Sequence, residues 1–462
     1  MDPITDDAGG MTAQARFGAL LKHWRRRAGM SQTRLAAELG YHNSVISRWE
    51  TGARQPPLDL VQRIDTVLAT GGRLAQLYTE TGLSGGAADG LSGLGSGMPL
   101  PGGPEAAAGA VAAWDRAEWP ARLPYHGIEC PLPGPHGCTV PPAGQAAAMY
   151  AMFTADPAAS AHNDIIHVLT AQLAVYTRFT EEQGPAGLHT PVEAALHKIV
   201  GALRGAAGPN GRALLHLAAG YASLAGQLRT FRGQHAAAMT LYDKGLQWAT
   251  LCDDTSLRAT FLCDMSSLAR LEHDGVSAVT YAQALPAVGA SRVWTSALSH
   301  LYQARGYAVL GDLHETTRHV AHARDRLHHL TAQDEHEAFW MAGTRGRVLF
   351  EAGIGAALRD VAAATADHSA AHAARAATED SLAFVPVHVR PATVLLALRL
   401  ADCYACVGQP EAAAAIATPV LAEAMTTPMA TVSHELRGLR RRLAARWPNL
   451  TSLTDVLEPD RS

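Results

Sequence analysis

Histidines and cysteines are the side chains in this sequence that could bind a metal ion or act as nucleophiles. Four of them fall in one proline-rich stretch, at His126, Cys130, His136 and Cys138. Zinc ligands normally come in closely spaced pairs, and the spacing here matches no common zinc site. A loop ordered by the surrounding prolines explains the stretch better. We therefore predict no metal ion, and the role of these four residues stays open.

Three further pairs are spaced so that both members share one helix face: His319 with His322, His368 with His372, and Cys403 with Cys406. No thiolate or carboxylate cluster accompanies the histidines at a recognised spacing, so solvated or hydrogen-bonded histidines explain them better than a metal. The cysteine pair lies inside a predicted helix, which favours buried small residues over a redox motif. Phosphate-binding loops, nucleophile elbows and paired catalytic carboxylates are absent from the sequence. We predict no enzyme activity and no cofactor.

The stretch SQTRLAAELGYHNSVISRWE indicates a binding motif and not a catalytic site, because it predicts two short helices separated by a glycine. Gln32 begins the first helix, and Gly40 allows the tight turn that follows it. Ala36 must be small because the second helix crosses close above it. Ile46 and Trp49 give that second helix its buried side. This spacing predicts a helix-turn-helix, whose second helix enters the DNA major groove.

Charge is distributed unevenly along the 462 residues. The chain has a net charge of −4, yet residues 13–78 contain ten Arg or Lys against four Asp or Glu, so the remainder carries −10. A basic module on an acidic body is typical of a nucleic-acid-binding protein. No signal peptide or long apolar run is visible, and six cysteines in such a chain make no disulfide framework. We expect a cytoplasmic protein without a membrane segment.

The periodicity around the helix-turn-helix predicts five helices between residues 13 and 80. Phe17, Leu21 and Trp24 line one face of a first helix over residues 13–28, and Gly29 ends it. Ser31 is a good N-cap for the next helix. After the recognition helix, two prolines and then a glycine pair delimit the last two helices. Residues 1–12 have the composition of a loose tail.

The segment GMSQTRLAAELGYHNSVISRWETGARQP resembles the XRE family of helix-turn-helix regulators, which includes the lambdoid phage repressors and Cro proteins. The resemblance covers roughly residues 14–78. It implies an all-α, five-helix, lambda-repressor-like DNA-binding domain. It also implies a buried ion pair between Arg25 on the first helix and Glu50 on the third.

The resemblance further implies which side chains contact DNA: Gln32, Asn43, Ser44, Ser47, Arg48, Thr51 and Arg54. Gln32, Thr51 and Arg54 would meet phosphates, and the other four would enter the major groove. Arg48 is the best candidate for a bidentate contact to guanine, and Asn43 for one to adenine. His42 replaces the usual capping Ser or Thr, so Asn43 either reads a base or caps the helix.

Two segments separate this domain from the rest of the chain. Residues 81–113 are rich in glycine, alanine and proline and predict a flexible linker. Residues 114–145 are too apolar for a linker, with Trp114, Trp119 and Tyr125 among the prolines. We predict that this strap lies extended on a helical surface.

Residues 146–453 predict a helical repeat. Similar segments recur at 217–246, 304–327 and 398–424, each with small residues and a glycine between two helices. The predicted turn glycines are Gly233, Gly275, Gly311, Gly353 and Gly408. The pattern resembles degenerate tetratricopeptide repeats, whose period is near 34 residues, with a generic α-solenoid as the alternative. Such an array presents a concave groove to a peptide, a protein or a second copy, and residues 454–462 form a tail.

Together these features predict a sequence-specific, DNA-binding transcriptional regulator, similar to those of high-GC bacteria. The repeat domain would mediate homodimerisation and bind a peptide, small-molecule or protein effector, and the operator would be an inverted repeat. One alternative is an interaction scaffold tethered to DNA. Another is a peptide-pheromone-responsive regulator, which the scarcity of asparagine in the repeats disfavours. The operator, the effector and the direction of regulation stay open.

Overall fold

The computed structural model describes residues 13–39, 43–52, 56, 58–80, 122–123, 128–132, 140–158, 162–341, 343–386 and 389–448. These residues are helical apart from one short β-hairpin, which confirms the all-α prediction. The chain forms two compact units, residues 1–99 and 100–462. The predicted tails at 1–12 and 454–462 and the predicted linker at 81–113 lie outside the described residues.

The first unit contains the five predicted helices: α1 (Ala13–Arg27), α2 (Gln32–Leu39), α3 (Asn43–Glu50), α4 (Leu58–Val67) and α5 (Arg73–Glu80). Gly29 ends α1 with a positive φ of 65°, and the N–H groups of Gly29 and Met30 bond back to the carbonyls of Arg26 and Arg25. This is the Schellman arrangement that glycine favours at a helix C-terminus. It turns the chain directly into α2.

One hydrophobic core holds the five helices together. Its buried residues are Phe17, Leu21, Leu35, Ala36, Leu39, Ile46, Trp49, Val61, Ile64, Leu68, Leu74 and Tyr78. The ring of Phe17 meets that of Tyr78 edge to face, with centroids 5.3 Å apart. The Tyr78 hydroxyl also donates to the carbonyl oxygen of Pro56 at 2.6 Å. Together these contacts fix α5 against α1 and the segment before α4.

The second unit begins with a β-hairpin, β1 (Arg122–Leu123) and β2 (Ile128–Glu129), paired antiparallel. Its first helices are α6 (Ala143–Ala155), α7 (Asn163–Gln183), α8 (His189–Ala202), α9 (Gly208–Phe231), α10 (His235–Leu251) and α11 (Thr255–Leu271). The next are α12 (Gly275–Val288), α13 (Val293–Leu310), α14 (Leu313–His328), α15 (Ala332–Glu337) and α16 (Gly343–Thr365). The last are α17 (His368–Phe384), α18 (Arg390–Cys406), α19 (Pro410–Ala417), α20 (Leu421–Thr426) and α21 (Ala430–Arg446).

Consecutive helices of this unit pack on each other, as in α9 with α10, α13 with α14 and α16 with α17. Two contacts join helices that are far apart in the sequence, because α18 packs on α7 and α21 on α9. In a linear repeat array each repeat touches only its neighbours. The second unit therefore departs from that ideal where its last helices return to its first ones.

The turns between these helices agree only in part with the predicted glycines. Gly233, Gly311 and Gly408 do occupy turns, with φ of 71°, 74° and 83°. The prediction is wrong for Gly353, which lies inside α16, whereas Gly275 directly follows a turn as the first residue of α12. A Cβ on Gly353 would lie 2.9 Å from a methyl group of Leu301, so this glycine serves a close helix contact.

A signal that the sequence reasoning missed is an aspartate directly after a residue of positive φ. Asp254, Asp274, Asp312 and Asp367 each cap the following helix, accepting from a backbone N–H at 2.7, 3.0, 2.9 and 2.7 Å. The residues before them are Asp253, His273, Gly311 and Ala366, with φ of 55°, 57°, 74° and 58°. Only one of these four is glycine, so a search for glycine alone could not find these turns.

A buried charge network joins the late helices of the second unit. Glu435 accepts from Arg359 and, at 2.9 Å, from Arg399, while Asp402 accepts from Arg359 at 3.0 Å and from Arg442 at 2.6 Å. Glu435 and Asp402 are 3% and 1% exposed. The network ties α16, α18 and α21 together through charges that are each hydrogen-bonded, as buried charges must be.

Candidate nucleic-acid interface

The candidate interface is built on α2 and α3, whose inner sides are fixed by the core of the first unit. Leu35 and Ile46 are fully buried, and Ala36 and Trp49 are each 2% exposed. The helices α2 and α3 pack directly on each other, so a larger residue at position 36 would separate them. This packing leaves the opposite face of α3 as its polar side.

A buried ion pair joins α1 to α3, as the resemblance implied. The guanidinium of Arg25 donates through Nε and Nη2 to the two carboxylate oxygens of Glu50, the second at 3.0 Å. Arg25 Nη1 also donates to the Met30 carbonyl at 2.7 Å. Both residues are 7% exposed, and the hydrogen bond to Glu50 raises the pKa of Arg25 above its usual value despite burial. The bidentate geometry fixes the C-terminal end of α3.

Gln32 adds the second helix to this network, because its Nε2 donates to Glu50 Oε2 at 2.8 Å. Three helices thus meet at one carboxylate: Arg25 on α1, Gln32 on α2 and Glu50 on α3. Gln32 was predicted to contact a phosphate. Only one of its two amide N–H groups is used by Glu50, and the phosphate contact stays a prediction.

The approach of α1 to α3 depends on Gly18, which the sequence reasoning did not single out. A Cβ on Gly18 would lie 2.5 Å from the carbonyl oxygen of Trp49 and 2.7 Å from that of Glu50. No side chain fits in that space. The glycine therefore permits the short helix separation that brings Arg25 within reach of Glu50.

The N-terminus of α2 carries the predicted cap. Ser31 Oγ accepts a hydrogen bond from the Arg34 N–H at 3.1 Å. The first N–H groups of this helix are directed out of its N-terminal end, as a phosphate contact requires. Ser31 and Arg34 are both exposed.

The predicted DNA-contacting residues are described to different extents. Ser47 is partly exposed and Thr51 is exposed just after α3. The side chains of Asn43, Ser44 and Arg48 lie outside the described part of α3, as does Arg54 in the chain after it. Their contacts with DNA stay predictions from the sequence.

Positive charge is exposed on α1, α2 and α5 of the first unit. Among the side chains of this unit that the structure describes, the exposed basic ones are Arg16, Lys22, Arg26, Arg27, Arg34 and Arg73. Arg27 and Arg73 stack over the ring of Trp24, at 5.2 and 5.4 Å from its centroid. Their stems are thereby ordered while the charges remain at the surface.

Asp65, an acidic residue of this basic unit, has a structural role that the count of charged residues does not reveal. The Asp65 carboxylate accepts from the backbone N–H groups of Leu74 and Ala75, at 3.1 and 2.9 Å, and from the Thr70 hydroxyl. It therefore caps α5 from a distance of nine residues. A count of charged residues would place Asp65 at the surface, but Asp65 is only 7% exposed.

The histidine and cysteine candidates of the second unit lie in separate places. Cys130 Sγ is 3.2 Å from His167 Nδ1, both buried, while Ile128 and Leu132 pack on the neighbouring helical core. His126, His136 and Cys138 lie outside the described residues. Among the residues that are described, no group of three or more potential ligands could hold a metal ion.

The other pairs have the character of ordinary structural residues. His319 is buried and lies 2.9 Å from His300 through their Nδ1 atoms, while His368 and His372 are exposed. Cys403 and Cys406 are buried inside α18, and burial raises their pKa to about 12 and about 11. Such thiols carry almost no thiolate at neutral pH.

The second unit also contains a cavity of about 560 Å³. The strap residues Ile128 and Glu129 line one part of it, and the rest is lined by residues of α7, α9, α11, α13, α15 and α16 and of the segments just before α11, α13 and α16. Its size falls in the range of small-molecule sites.

Comparison with known proteins supports the assignment of the first unit alone. Residues 16–77 match the family model described as a helix-turn-helix domain. No curated protein and no solved structure matches the chain. Within the part of the chain that the structure describes, no helix is both long and apolar enough to cross a membrane. The chain thus carries an N-terminal helix-turn-helix domain, which indicates a DNA-binding regulator.

Proposed function

We propose that this protein is a sequence-specific transcriptional regulator of the XRE type, whose second unit mediates dimerisation and binds an effector or partner. The observation that carries the proposal is the Glu50 carboxylate, which joins α1, α2 and α3 through Arg25 and Gln32. A recognition helix reads bases only if its angle to the supporting helix is fixed. The buried, bidentate pair supplies that rigidity.

The distribution of charge supports binding to DNA over binding to protein. Exposed arginines and Lys22 lie on α1, α2 and α5 of the first unit, whereas the rest of the sequence is acidic. A basic surface steers the protein to the phosphate backbone, and the polar face of α3 then selects the sequence. In this proposal Arg48 pairs with a guanine and Ser44 and Ser47 contact neighbouring groups in the groove.

The second unit supports the regulatory half of the proposal. It is helical throughout its described residues apart from one hairpin, and it contains a cavity large enough for a small ligand. We propose that its helix pairs are degenerate tetratricopeptide repeats that also join two copies. A dimer would place two recognition helices about 34 Å apart on one face of DNA, which requires an inverted-repeat operator.

The test is DNase footprinting of the full chain on the DNA upstream of its own gene, followed by affinity measurements at several salt concentrations. A discrete symmetric footprint is expected. Smooth coating that disappears with salt would instead show a non-specific tether for an interaction scaffold, and would contradict the proposal.

Arg48→Ala then tests the base contact. Operator affinity should fall by about 1–3 kcal/mol with relaxed preference at one base pair, while affinity for random DNA changes little. The matched control is Arg16→Ala, which removes an exposed arginine of α1. Equal losses on operator and random DNA for Arg48→Ala would show a phosphate contact only.

A further inference from the structure

The cavity of the second unit has an acidic lining. Its acids are Glu129, Glu181, Asp253, Asp254, Asp264 and Glu337, and its basic residues are His216, Arg292 and Arg345. The excess of acids means that an anionic ligand would meet repulsion there. A cationic ligand would be attracted from solution.

Every basic residue of the lining is already paired with an acid of the lining: Arg345 with Glu181 at 3.1 Å, His216 with Asp254 at 2.9 Å, and Arg292 with Glu337. Burial opposes the charge on His216, but its bonds to Asp254 and Cys252 outweigh burial and raise its pKa to about 10. These three pairs are therefore ionic at neutral pH. Asp253 has a further partner outside the lining, Arg258 at 3.7 Å, and the lining itself still contains more acids than basic residues.

Asp264 differs from the other acids of the cavity. Its Oδ2 atom is buried and has no hydrogen-bond partner among the described residues. A buried carboxylate without a donor is costly, and proteins normally compensate it by a cation or a hydrogen bond. Burial raises the pKa of Asp264 to about 7.

The basic residue that could compensate Asp264 from within the chain is directed elsewhere. Arg305 of α13 donates to the Ser267 hydroxyl at 3.3 Å and stacks over the Tyr302 ring, 4.9 Å from its centroid. No ion pair joins it to Asp264 in the described structure. Asp264 borders the cavity and is partly exposed, so a partner that enters the cavity can reach its carboxylate.

Aromatic rings complete the lining. Trp294, Tyr302 and Trp340 all border the cavity, and the two tryptophans meet edge to face with centroids 6.4 Å apart. The Trp294 Nε1 group donates to Glu337 at 3.3 Å, which fixes the ring. Trp294 is fully buried, so the partly exposed rings of Tyr302 and Trp340 are the ones that a cation could contact through the ring quadrupole.

We propose that this cavity binds an organic cation, an alkylammonium or guanidinium group whose N–H donates to the Asp264 carboxylate. The proposal deepens the effector half of the proposed function and rests on it. A metal ion fits less well, because the described residues contain no group of three ligands that could hold one. The volume of about 560 Å³ admits a whole small amine or one basic side chain of a peptide.

The test is isothermal titration calorimetry of the full chain, without DNA, at pH 8, where Asp264 is ionised. The probes are spermidine, agmatine and the tripeptide Gly-Lys-Gly, with tetramethylammonium as a cation that has no N–H donor. Binding of spermidine or agmatine alone would identify a free amine, and binding of the tripeptide would identify a peptide side chain. No binding of any probe at about 10 mM would overturn the proposal.

Asp264→Asn tests the contact itself, with Asp253→Asn as the matched control. Asp253 belongs to the same lining, but its side chain is 94% exposed. We expect affinity to fall at least about tenfold for Asp264→Asn and less than about threefold for Asp253→Asn. Equal losses, or undiminished binding to Asp264→Asn, would overturn the proposal.

Two further measurements separate the possible failures. Circular dichroism melting of Asp264→Asn shows whether the variant is folded, so that lost binding is not mistaken for unfolding. The operator footprint is recorded without any probe. An intact footprint with no cation binding would reject this inference alone, whereas loss of both would reject the proposed function as well.

Discussion

The backbone of Gly18 lies so close to that of Trp49 that a Cβ atom would be 2.5 Å from the Trp49 carbonyl oxygen. The two residues belong to α1 and α3, the helices that Arg25 and Glu50 connect. The missing side chain thus sets the distance at which this ion pair forms. A residue of α1 therefore constrains the position of the recognition helix α3.

Gly18→Ala should therefore destabilise the first unit, although alanine is the better helix former. The intrinsic gain of about 1 kcal/mol for alanine is opposed by a clash with backbone atoms, which cannot rotate away. We expect a net loss of about 1–3 kcal/mol, measured by hydrogen exchange of peptides from residues 13–80. Gly438→Ala in α21 is the control, because nothing lies within 4 Å of a Cβ there, and it should stabilise.

Sequence reasoning identified the helix-turn-helix because its signals are local. The spacing of Ala36, Ile46 and Trp49 follows from helix geometry, and all three are buried as predicted. Gly18 and Asp65 escaped because their roles depend on atoms far along the chain, at Trp49 and Leu74. Such tertiary relationships leave no periodic pattern in the sequence.

Glu50→Gln tests the buried pair that holds the three helices. Glutamine keeps the shape of the carboxylate but leaves the Arg25 charge buried without its counter-ion. We expect a loss of about 3–5 kcal/mol in the first unit, again by hydrogen exchange. The double variant with Arg25→Met and Glu50→Leu should lose less stability than the sum of the losses measured for Arg25→Met alone and Glu50→Leu alone. Additive losses would show that the two side chains act independently.

The cysteine pair offers a test of the conclusion that it is structural. Burial raises the pKa of Cys403 to about 12 and that of Cys406 to about 11, so neither forms a thiolate near neutral pH. We expect iodoacetamide to spare both in the native protein while the less buried Cys252 reacts, as read by peptide mass spectrometry. In guanidinium chloride all six cysteines should react at similar rates. Rapid native labelling of Cys406 would revive a redox role.

The second unit shows where patterns in the sequence become insufficient. Three of the five predicted turn glycines are turns, but Gly353 lies in mid-helix against Leu301, because glycine also serves close packing. Conversely, His273 and Ala366 adopt positive φ in turns that a following aspartate stabilises. Glycine therefore serves both turns and close helix packing, and only the tertiary structure distinguishes the two roles.

Glu435 should give the second unit an acid-sensitive stability. Burial opposes its charge, but Arg359 and Arg399 outweigh burial and hold the pKa of Glu435 far below its usual range. The stabilisation is thus present above about pH 4.5 and is lost as pH falls below it. Glu435→Gln should cost about 3–5 kcal/mol at pH 7 and flatten the acid limb of the stability curve, measured by urea unfolding.

The control for this variant is Glu423→Gln, which breaks the partly exposed pair between Arg390 and Glu423. Exposed pairs contribute little, so its urea midpoint should move far less than that of Glu435→Gln. Similar shifts for the two variants would show that burial does not strengthen the network.

Asp264 should have the opposite pH dependence, because burial raises its pKa from 3.8 to about 7. Between those values the folded protein retains a proton that the unfolded chain has released, so the free energy of unfolding falls as pH rises through this window. At about 1.4 kcal/mol per pH unit the effect is at most about 4 kcal/mol, and partial exposure of the side chain reduces it. The Asp264 charge raises the pKa of the neighbouring groups Tyr242, Cys263 and Tyr302, and Arg305 opposes that effect on Cys263 and Tyr302.

Asp264→Asn removes this dependence while leaving those neighbours in place. The melting temperature of the variant should match that of the wild-type chain near pH 4, exceed it increasingly up to about pH 7 and then stay above it by a constant amount, measured without ligand. The melting temperature of Asp253→Asn, which changes an exposed acid, should follow that of the wild type at every pH. If the melting temperature of Asp264→Asn also followed that of the wild type, or fell below it at pH 8, the carboxylate would already have a cationic partner inside the protein.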